Sequence, residues 1–324
     1  GNVYQVNHTL RLCAPAVPCR ELFADFAANA AYGAFVDARD FAIMSASPEL
    51  FFSLHGERLV SRPMKGTAAR GPTLGDDNRE ADELRGSEKN RAENLMIVDM
   101  IRNDLGRIAT PGSVEVLSLF DLERYASVHQ LTSTIEAGSH RPMADVFAAL
   151  FPCASITGAP KVATSRLLTA LESDPRGIYT GAIGYFAPGR RAEFNVAIRT
   201  VHVDRLRQTA EYGTGGGIVW DSLADDEYRE CATKASVLTF DLPAFELLET
   251  IRWEPSTGYT LLDYHLDRIE ASADDFGFRF DRAQIAGELV RAEPRSSTEP
   301  QRLQLLLGSS GTPRVQHAGS VPPL

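Results

Sequence analysis

No apolar run in the 324 residues approaches the roughly 20 that a membrane-crossing helix needs, so neither a membrane span nor a membrane partner is expected. The opening residues carry no basic-then-apolar signal-peptide pattern. Cysteine is scarce. Cys13, Cys19, Cys153 and Cys231 are the only four, and none stands in C-x-x-C or another zinc spacing. They read as reduced thiols of a cytoplasmic protein, although Cys13 and Cys19 are near enough in sequence to pair. Positive charge is in deficit: 33 Lys and Arg against 43 Asp and Glu leave a formal net charge of −10. Such a chain is a poor match for a nucleic-acid backbone, which demands basic surface. It can still bind a small dianion if its cations are gathered in one pocket. A Walker phosphate loop is also missing, because no Gly-Lys-Ser/Thr follows the glycine run Gly213-Thr214-Gly215-Gly216-Gly217.

What is present is an ordinary globular composition, 44% hydrophobic and 23% charged, with room for two domains or one core and an appendage. The chain starts at Gly1 and runs almost at once into a strand-like stretch, which leads us to expect a fragment lacking its natural amino terminus. Alternation predicts strands over 3–12, 35–45, 50–54, 57–63, 113–119, 129–135, 182–187, 193–203 and 208–219. Helical spacing marks 21–31, 90–102, 143–150, 161–172 and 225–238, and 71–85 reads as a polar loop leading into a helix. In the clearest helix, Leu95, Val98, Ile101 and Leu105 form the expected apolar stripe. Strands joined mostly by short turns predict an α+β domain with large antiparallel sheets, not a doubly wound parallel sheet. A break near Asp241 to Pro243 separates 1–242 from 243–324. Beyond it, 245–253 reads as a strand and 264–276 as a helix, while 291–324 is rich in Pro, Ser, Gly and Arg. This second piece looks too short to bury a core of its own.

Several constellations carry chemistry. Ser45-Ala46-Ser47-Pro48-Glu49 and Pro63-Met64-Lys65-Gly66-Thr67 flank a strand and its return, which would bring Glu49 and Lys65 to a common cleft. An acid beside an amine suits a reaction needing both a proton donor and a nucleophile. The amine attacks only when neutral, a state favoured by burial or a nearby cation. Residue by residue, a solvated lysine on a turn beside a surface glutamate is the plainer reading. Glu93 stands one turn ahead of Ile97, and Glu227 and Glu230 share a helix face with Lys234 one turn on. Two acidic helices converging on a pocket could hold a hard cation such as Mg²⁺; surface charge is the plainer reading. The glycine run could offer backbone N–H groups to an anion, or simply weaken a strand. Ile156-Thr157-Gly158-Ala159-Pro160-Lys161 is a turn entering a helix whose amides could also face an anion.

The order and wording of these segments change their weight. Tyr4-Gln5-Val6-Asn7, SPELFF, PMKGT, KNRAENLMIVDMIRNDLGR, GSVEV, ITGAPK, RGIYTGAIGY, FNVAIRT, the glycine run and EYRECATKA together resemble the chorismate-binding enzyme family, from Tyr4 to about Leu238. That family includes anthranilate synthase component I, aminodeoxychorismate synthase component I, isochorismate synthase and salicylate synthase. The resemblance implies a two-lobed antiparallel β-sandwich with flanking helices. It further implies that Glu93 and Glu230 hold Mg²⁺, with Glu227 as a second acidic position, and that Glu49 protonates the departing C4 hydroxyl of chorismate. Arg199 and Tyr185 match residues that hold the enolpyruvyl carboxylate. Gly215, Gly216 and Thr157 match substrate-facing positions, and Lys234 brings positive charge. Isochorismate and salicylate synthases carry a lysine base where Gln5 stands here, so water activation is not expected. Anthranilate synthases carry alanine where Lys65 stands, whereas the branch making 4-amino-4-deoxychorismate carries a nucleophilic lysine. Gln130 occupies the usual histidine position of a V-x-H-L motif, and that histidine's role is not transferable to His129 by sequence alone.

The resemblance implies chorismate as substrate and ammonia from a glutamine amidotransferase partner, with anthranilate synthase component I or a non-catalytic chorismate-binding subunit as alternatives. From Leu248-Glu249-Thr250-Ile251-Arg252-Trp253 through Leu262 to Ala273 the tail resembles the opening of a class IV aminotransferase or aminodeoxychorismate lyase. No lysine follows Lys234, so a pyridoxal-phosphate Schiff base, and hence that cofactor, is not expected in this piece.

Overall fold

The computed structural model describes residues 2–27, 30–71, 73–125, 128–235, 238 and 245–320. The chain divides into two compact units, Gly1–Glu123 with Ser127–Phe240, and Arg124–Ala126 with Asp241–Leu324. The break expected near Asp241 to Pro243, and the end of the helix expected to reach 238, fall at or among residues outside the described ones.

The first unit is built on two sheets. One runs in the order β2 (Tyr32–Asp37), β3 (Phe41–Ser47), β12 (Thr200–Asp204), β13 (Thr209–Ile218), β1 (Gln5–Pro15) and β9 (Gly158–Ala159), all antiparallel. The other runs β10 (Ala182–Ala187), β11 (Arg191–Val196), β4 (Leu50–His55), β5 (Arg58–Arg62), β8 (Val128–Gly138) and β6 (Met64–Ala69), again antiparallel, with β7 (Glu115–Arg124) also on β8. The α+β class and the paired antiparallel sheets are therefore those expected. Phe51, Phe52, Leu59, Ile135 and Phe194 of the second sheet pack against Ile97, Ile101 and Leu105 of α3 (Glu88–Gly106) and Val146 of α4 (Met143–Leu150). Met44, Val201, Val203 and Tyr212 of the first sheet pack with Phe26 of α1 (Cys19–Phe26). Each sheet thus closes one face with helices, as apolar alternation requires.

Several local readings need correction. The stretch 35–45 is not one strand but the hairpin β2–β3, turned at Ala38, whose N–H donates to Phe41 O at 3.0 Å. Lys65 sits not on a turn but in strand β6. The polar stretch after it is already helix: α2 (Leu74–Gly86) starts at Thr73, whose side chain accepts the Asp76 N–H. On α3 the buried stripe is Asn94, Ile97, Val98, Ile101 and Leu105, and Leu95 is 45% exposed. An apolar count passed over Asn94, which is buried because its side-chain oxygen accepts from Ser133 Oγ at 2.6 Å.

The stretch 193–203, expected as one strand, is two strands in different sheets, and this break shapes the site. Residues 197–199 carry the chain from β11 to β12, just as Ser47-Pro48-Glu49 carries it from β3 to β4. The two crossings are bonded to each other. Val196 N donates to Glu49 O at 3.0 Å, Ala46 N to Arg199 O at 2.9 Å, and Ser47 Oγ to Val196 O at 2.6 Å. Arg199 turns the corner at φ 46°, a left-handed conformation uncommon outside glycine.

The second unit has a four-stranded antiparallel sheet ordered β15 (Gly258–Tyr259), β14 (Leu247–Glu254), β16 (Gln301–Leu307) and β17 (Pro313–Ser320). Ile251, Leu305 and Leu307 pack with Leu266 and Ile269 of α8 (Leu262–Phe276) and Ile285 and Leu289 of α9 (Arg282–Arg291). The expectation that this piece buries no core is overturned. Leu303, Leu305 and Leu307 alternate on one buried face, a pattern hidden in a stretch judged by its Pro and Ser content. Among the described residues no helix is long and apolar enough to cross a membrane, and all four cysteines are free.

Candidate active site

A cavity of about 590 Å³ opens within the first unit, walled by both sheets and by α3, α5 (Ala154–Thr157) and α7 (Ala224–Ala235). The crossings supply Glu49 and Arg199, β6 supplies Lys65, α3 supplies Glu93, and α7 supplies Glu227, Glu230 and Lys234. Lys65, Lys89, Arg199 and Lys234 thus meet on one wall system of an acidic protein, the concentration of cations that a small dianion needs.

Glu49 is 3% exposed, and its Oε1 accepts from Ser155 Oγ at 2.6 Å. Burial pushes its carboxyl up to about 7, against the opposing pull of Ser155, Lys65 and the Met64 N–H. Burial also lowers the Lys65 pKa, reinforced by the charge of Lys234, while Glu93, Glu230 and Glu49 pull the other way. The pair is thereby biased toward a neutral acid and a neutral amine, the forms that donate a proton and attack carbon. At Glu230 burial would raise the pKa, but Lys234, with Nζ at 2.5 Å, and then Lys65 and Lys89 more than offset it, so the group is held below its ordinary value.

Gly213 to Gly217 form no separate nest. They are the end of β13, paired in register with β1 from Arg11 to Asn7. Lys234 Nζ donates to Gly215 O at 2.9 Å, so Gly215 turns its polar groups away from β1, and strand geometry turns those of Gly216 toward it. Gly215 lies on the cavity wall; Gly216 is not among the wall residues. The missing side chain at Gly216 makes room for acid groups: a Cβ there would stand 2.9 Å from Glu227 Oε2 and 3.9 Å from Glu230 Oε1. Ser222 Oγ donates to Glu227 Oε1 at 2.6 Å and fixes that carboxylate. Among the described residues no group of three His, Cys, Asp or Glu side chains converges closely enough to cage a metal. Glu227 and Glu230 bring carboxylate oxygens to the same side of Gly216, and such a pair suits Mg²⁺, which keeps several waters and takes only one or two carboxylates.

Two expected positions stand elsewhere. Tyr185 is 57% exposed on β10, which pairs with only one neighbour, and it does not line the cavity. Tyr179 and Tyr212 line it instead. The RGIYTGAIGY segment contains both, Tyr179 in the turn that precedes β10 and Tyr185 within the strand. Thr157 is buried with its hydroxyl donating to Cys153 O at 2.7 Å, and it lines a second cavity instead. Ser155, two residues earlier, reaches Glu49 and was not singled out by sequence. Gln130 lines the cavity, whereas His129 is fully buried with Nε2 2.8 Å from Asp77 Oδ1, so the histidine is structural. Gln5 is 1% exposed and lies under Gly217, with neither amide atom bonded.

Known proteins share this frame. Aminodeoxychorismate synthase of Streptomyces griseus is 44% identical over 227 residues, 68% of this chain and 30% of its own length. Anthranilate synthase component 1 3 of Haloarcula marismortui is 42% identical over 248 residues, 74% of this chain and 48% of its own length. The chain therefore spans 30–48% of the length of these curated relatives. The solved structure of anthranilate synthase component I from Streptococcus pneumoniae matches with a TM-score of 0.68 at 31% identity, covering 74% of this chain and 54% of that one. The model of the chorismate binding enzyme family matches residues 1–240, which takes in every wall of the cavity. This chain belongs to the chorismate binding enzyme family.

Proposed function

We propose that the first unit performs the reaction of aminodeoxychorismate synthase component I, converting chorismate and ammonia to 4-amino-4-deoxychorismate and water. The observation that carries this reading is the presence of Lys65 and Glu49 on one cavity wall, both biased toward their neutral forms. The neutral Lys65 amine attacks C2 of the ring while the Glu49 proton leaves with the C4 hydroxyl as water. The proton shed by the newly bonded nitrogen restores Glu49. Ammonia then bonds to C4 as the C2–N bond breaks, and its surplus proton passes to the departing nitrogen, which returns the Lys65 amine. Arg199 and the Gly215 edge orient the dianion. Glu93, Glu227 and Glu230 would hold Mg²⁺, which supplies positive charge to the ring carboxylate. Ammonia would come from a glutamine amidotransferase partner, in a cytoplasmic route to 4-aminobenzoate and folate. The second unit is read as the opening of an aminodeoxychorismate lyase-like domain, supported by the wording of its first strand and helix.

A second reading, anthranilate synthase component I, is favoured by the longer match to the Haloarcula protein. Two measurements separate them. Chorismate, Mg²⁺ and ammonium should give 4-amino-4-deoxychorismate; direct release of anthranilate and pyruvate overturns the reading. Chorismate and Mg²⁺ without ammonia should leave a covalent adduct on Lys65 by mass spectrometry, absent from Lys65→Ala. Normal amination with no adduct would remove the nucleophile role. Chorismate binding with no turnover under any condition would point to a non-catalytic subunit.

A further inference from the structure

Ser155 is 4% exposed and stands at the cavity wall with its hydroxyl proton committed to Glu49 Oε1. Its backbone is held in place from β1, since Asn7 Nδ2 donates to Ser155 O at 2.9 Å. Cys153 Sγ lies 3.2 Å from Ser155 Oγ. Because the serine proton is already given to Glu49, the thiol is the donor of that second contact. Burial, and then the charge of Glu49, push the Cys153 thiol up to about 12, so it keeps its proton. The result is a one-way chain, from Cys153 S–H to Ser155 O–H to Glu49. The groups facing Glu49 are Ser155, the Met64 N–H and Lys65, with Cys153 behind the serine.

We propose that Ser155 is the positioning residue of the proton donor: by occupying Oε1 it places the transferable proton on Oε2 and strengthens its bond to the carboxylate as the proton leaves. A hydrogen bond to an ionised acceptor is roughly twice as strong as one to a neutral acceptor, so the contact gains strength along the proton transfer itself. Interactions that grow toward the transition state accelerate a reaction, whereas uniform ones do not. This inference rests on Glu49 being the acid of the proposed reaction, and it adds a second residue to that step.

The test compares wild type, Ser155→Ala and Ser155→Thr. Ser155→Ala is expected to lower kcat about 10- to 100-fold with chorismate KM unchanged, as for loss of one preorganised donor. The high-pH fall of kcat should move upward by about one pH unit, because the group favouring the carboxylate is gone. Ser155→Thr, which keeps an O–H, should recover most of kcat and the original limb. A second readout needs no turnover: the infrared C=O band of protonated Glu49, identified by its loss in Glu49→Gln, should shift in Ser155→Ala. If Ser155→Ala does not fold, Ser155→Cys, with a weaker donor, should give an intermediate loss and an intermediate band shift. An unchanged pH limb or an unmoved band in a folded variant overturns the proposal. Wild type that fails to aminate chorismate would overturn the reaction assigned above, while the infrared band would still decide the Ser155–Glu49 link.

Discussion

The ring of Tyr179 lies directly over the α-carbon of Gly213, where a Cβ would stand 2.2 Å from the ring carbon Cγ. Glycine is required there because the aromatic wall of the cavity is seated on bare backbone. Tyr179→Ala is expected to raise the chorismate KM about 10-fold by removing a wall of a small-molecule site. Tyr185→Ala, on the solvent side of β10, should leave KM within about twofold. Steady-state kinetics of the pair checks the assignment, and a reversed order of effects would return the role to Tyr185.

Glu49→Gln should lower kcat about 10²- to 10⁴-fold, the range for a lost general acid. On the proposed mechanism the active form is protonated, so kcat should fall as pH rises through about 7, the value to which burial raises this group. That limb should vanish in Glu49→Gln. A pH–rate profile decides.

The same group sets a stability trend. Its folded pKa of about 7 lies above the ordinary 4.5, so the contribution is fully present below 4.5 and lost as pH rises through about 7. Relative to Glu49→Gln, wild type should lose on the order of 3 kcal/mol between acid and alkaline conditions. Denaturant titrations at pH 5 and pH 9 measure the difference, and a parallel course of the two proteins would contradict the buried neutral acid.

Gly216→Ala would force the Glu227 carboxylate aside, since the new Cβ falls 2.9 Å from Oε2. The expected result is about a 10-fold rise in the Mg²⁺ concentration needed for half-maximal activity, a typical penalty for a disturbed ligand. Removal of Mg²⁺ by a chelator should abolish turnover in both proteins. Equal Mg²⁺ curves for variant and wild type would detach Glu227 from the cation site.

Asp77 is 3% exposed and accepts from Arg70 Nε at 2.7 Å and Gly71 N at 2.9 Å, with His129 at 2.8 Å. Burial would raise its pKa, but Arg70, the Gly71 amide and His129 more than offset it and hold it at about 2. Its contribution is therefore present above 3.8 and lost as pH falls toward 2. Asp77→Ala removes the acceptor that Arg70, the Gly71 N–H and the fully buried His129 share, and should cost about 1–3 kcal/mol in denaturant unfolding.

The sheets and outer helices were legible because their apolar periods are regular, and the gathering of Lys65, Glu49, Glu93 and Glu230 on one cavity was legible through the wording around them. The rest depended on information a linear pattern does not carry. Between Tyr179 and Tyr185 the choice turns on how the turn before β10 folds over Gly213, a contact between distant positions. Ser155 and Thr157 look alike in sequence, and only the curl of α5 sends one hydroxyl to Glu49 and the other back to Cys153. Asn94 reads as a polar interruption until its partner Ser133, 39 positions away, is seen. The strand over 193–203 was apolar enough to run on, yet Arg199 turns it into the other sheet.

That corner carries a consequence for loop engineering. The Ser47-to-Glu49 and 197–199 spans are bonded to each other, so each sets the length of the other. An added residue in either would break these bonds and shift Glu49 or Arg199 along the cavity wall. These two spans are the places where a graft or an insertion has no slack to use.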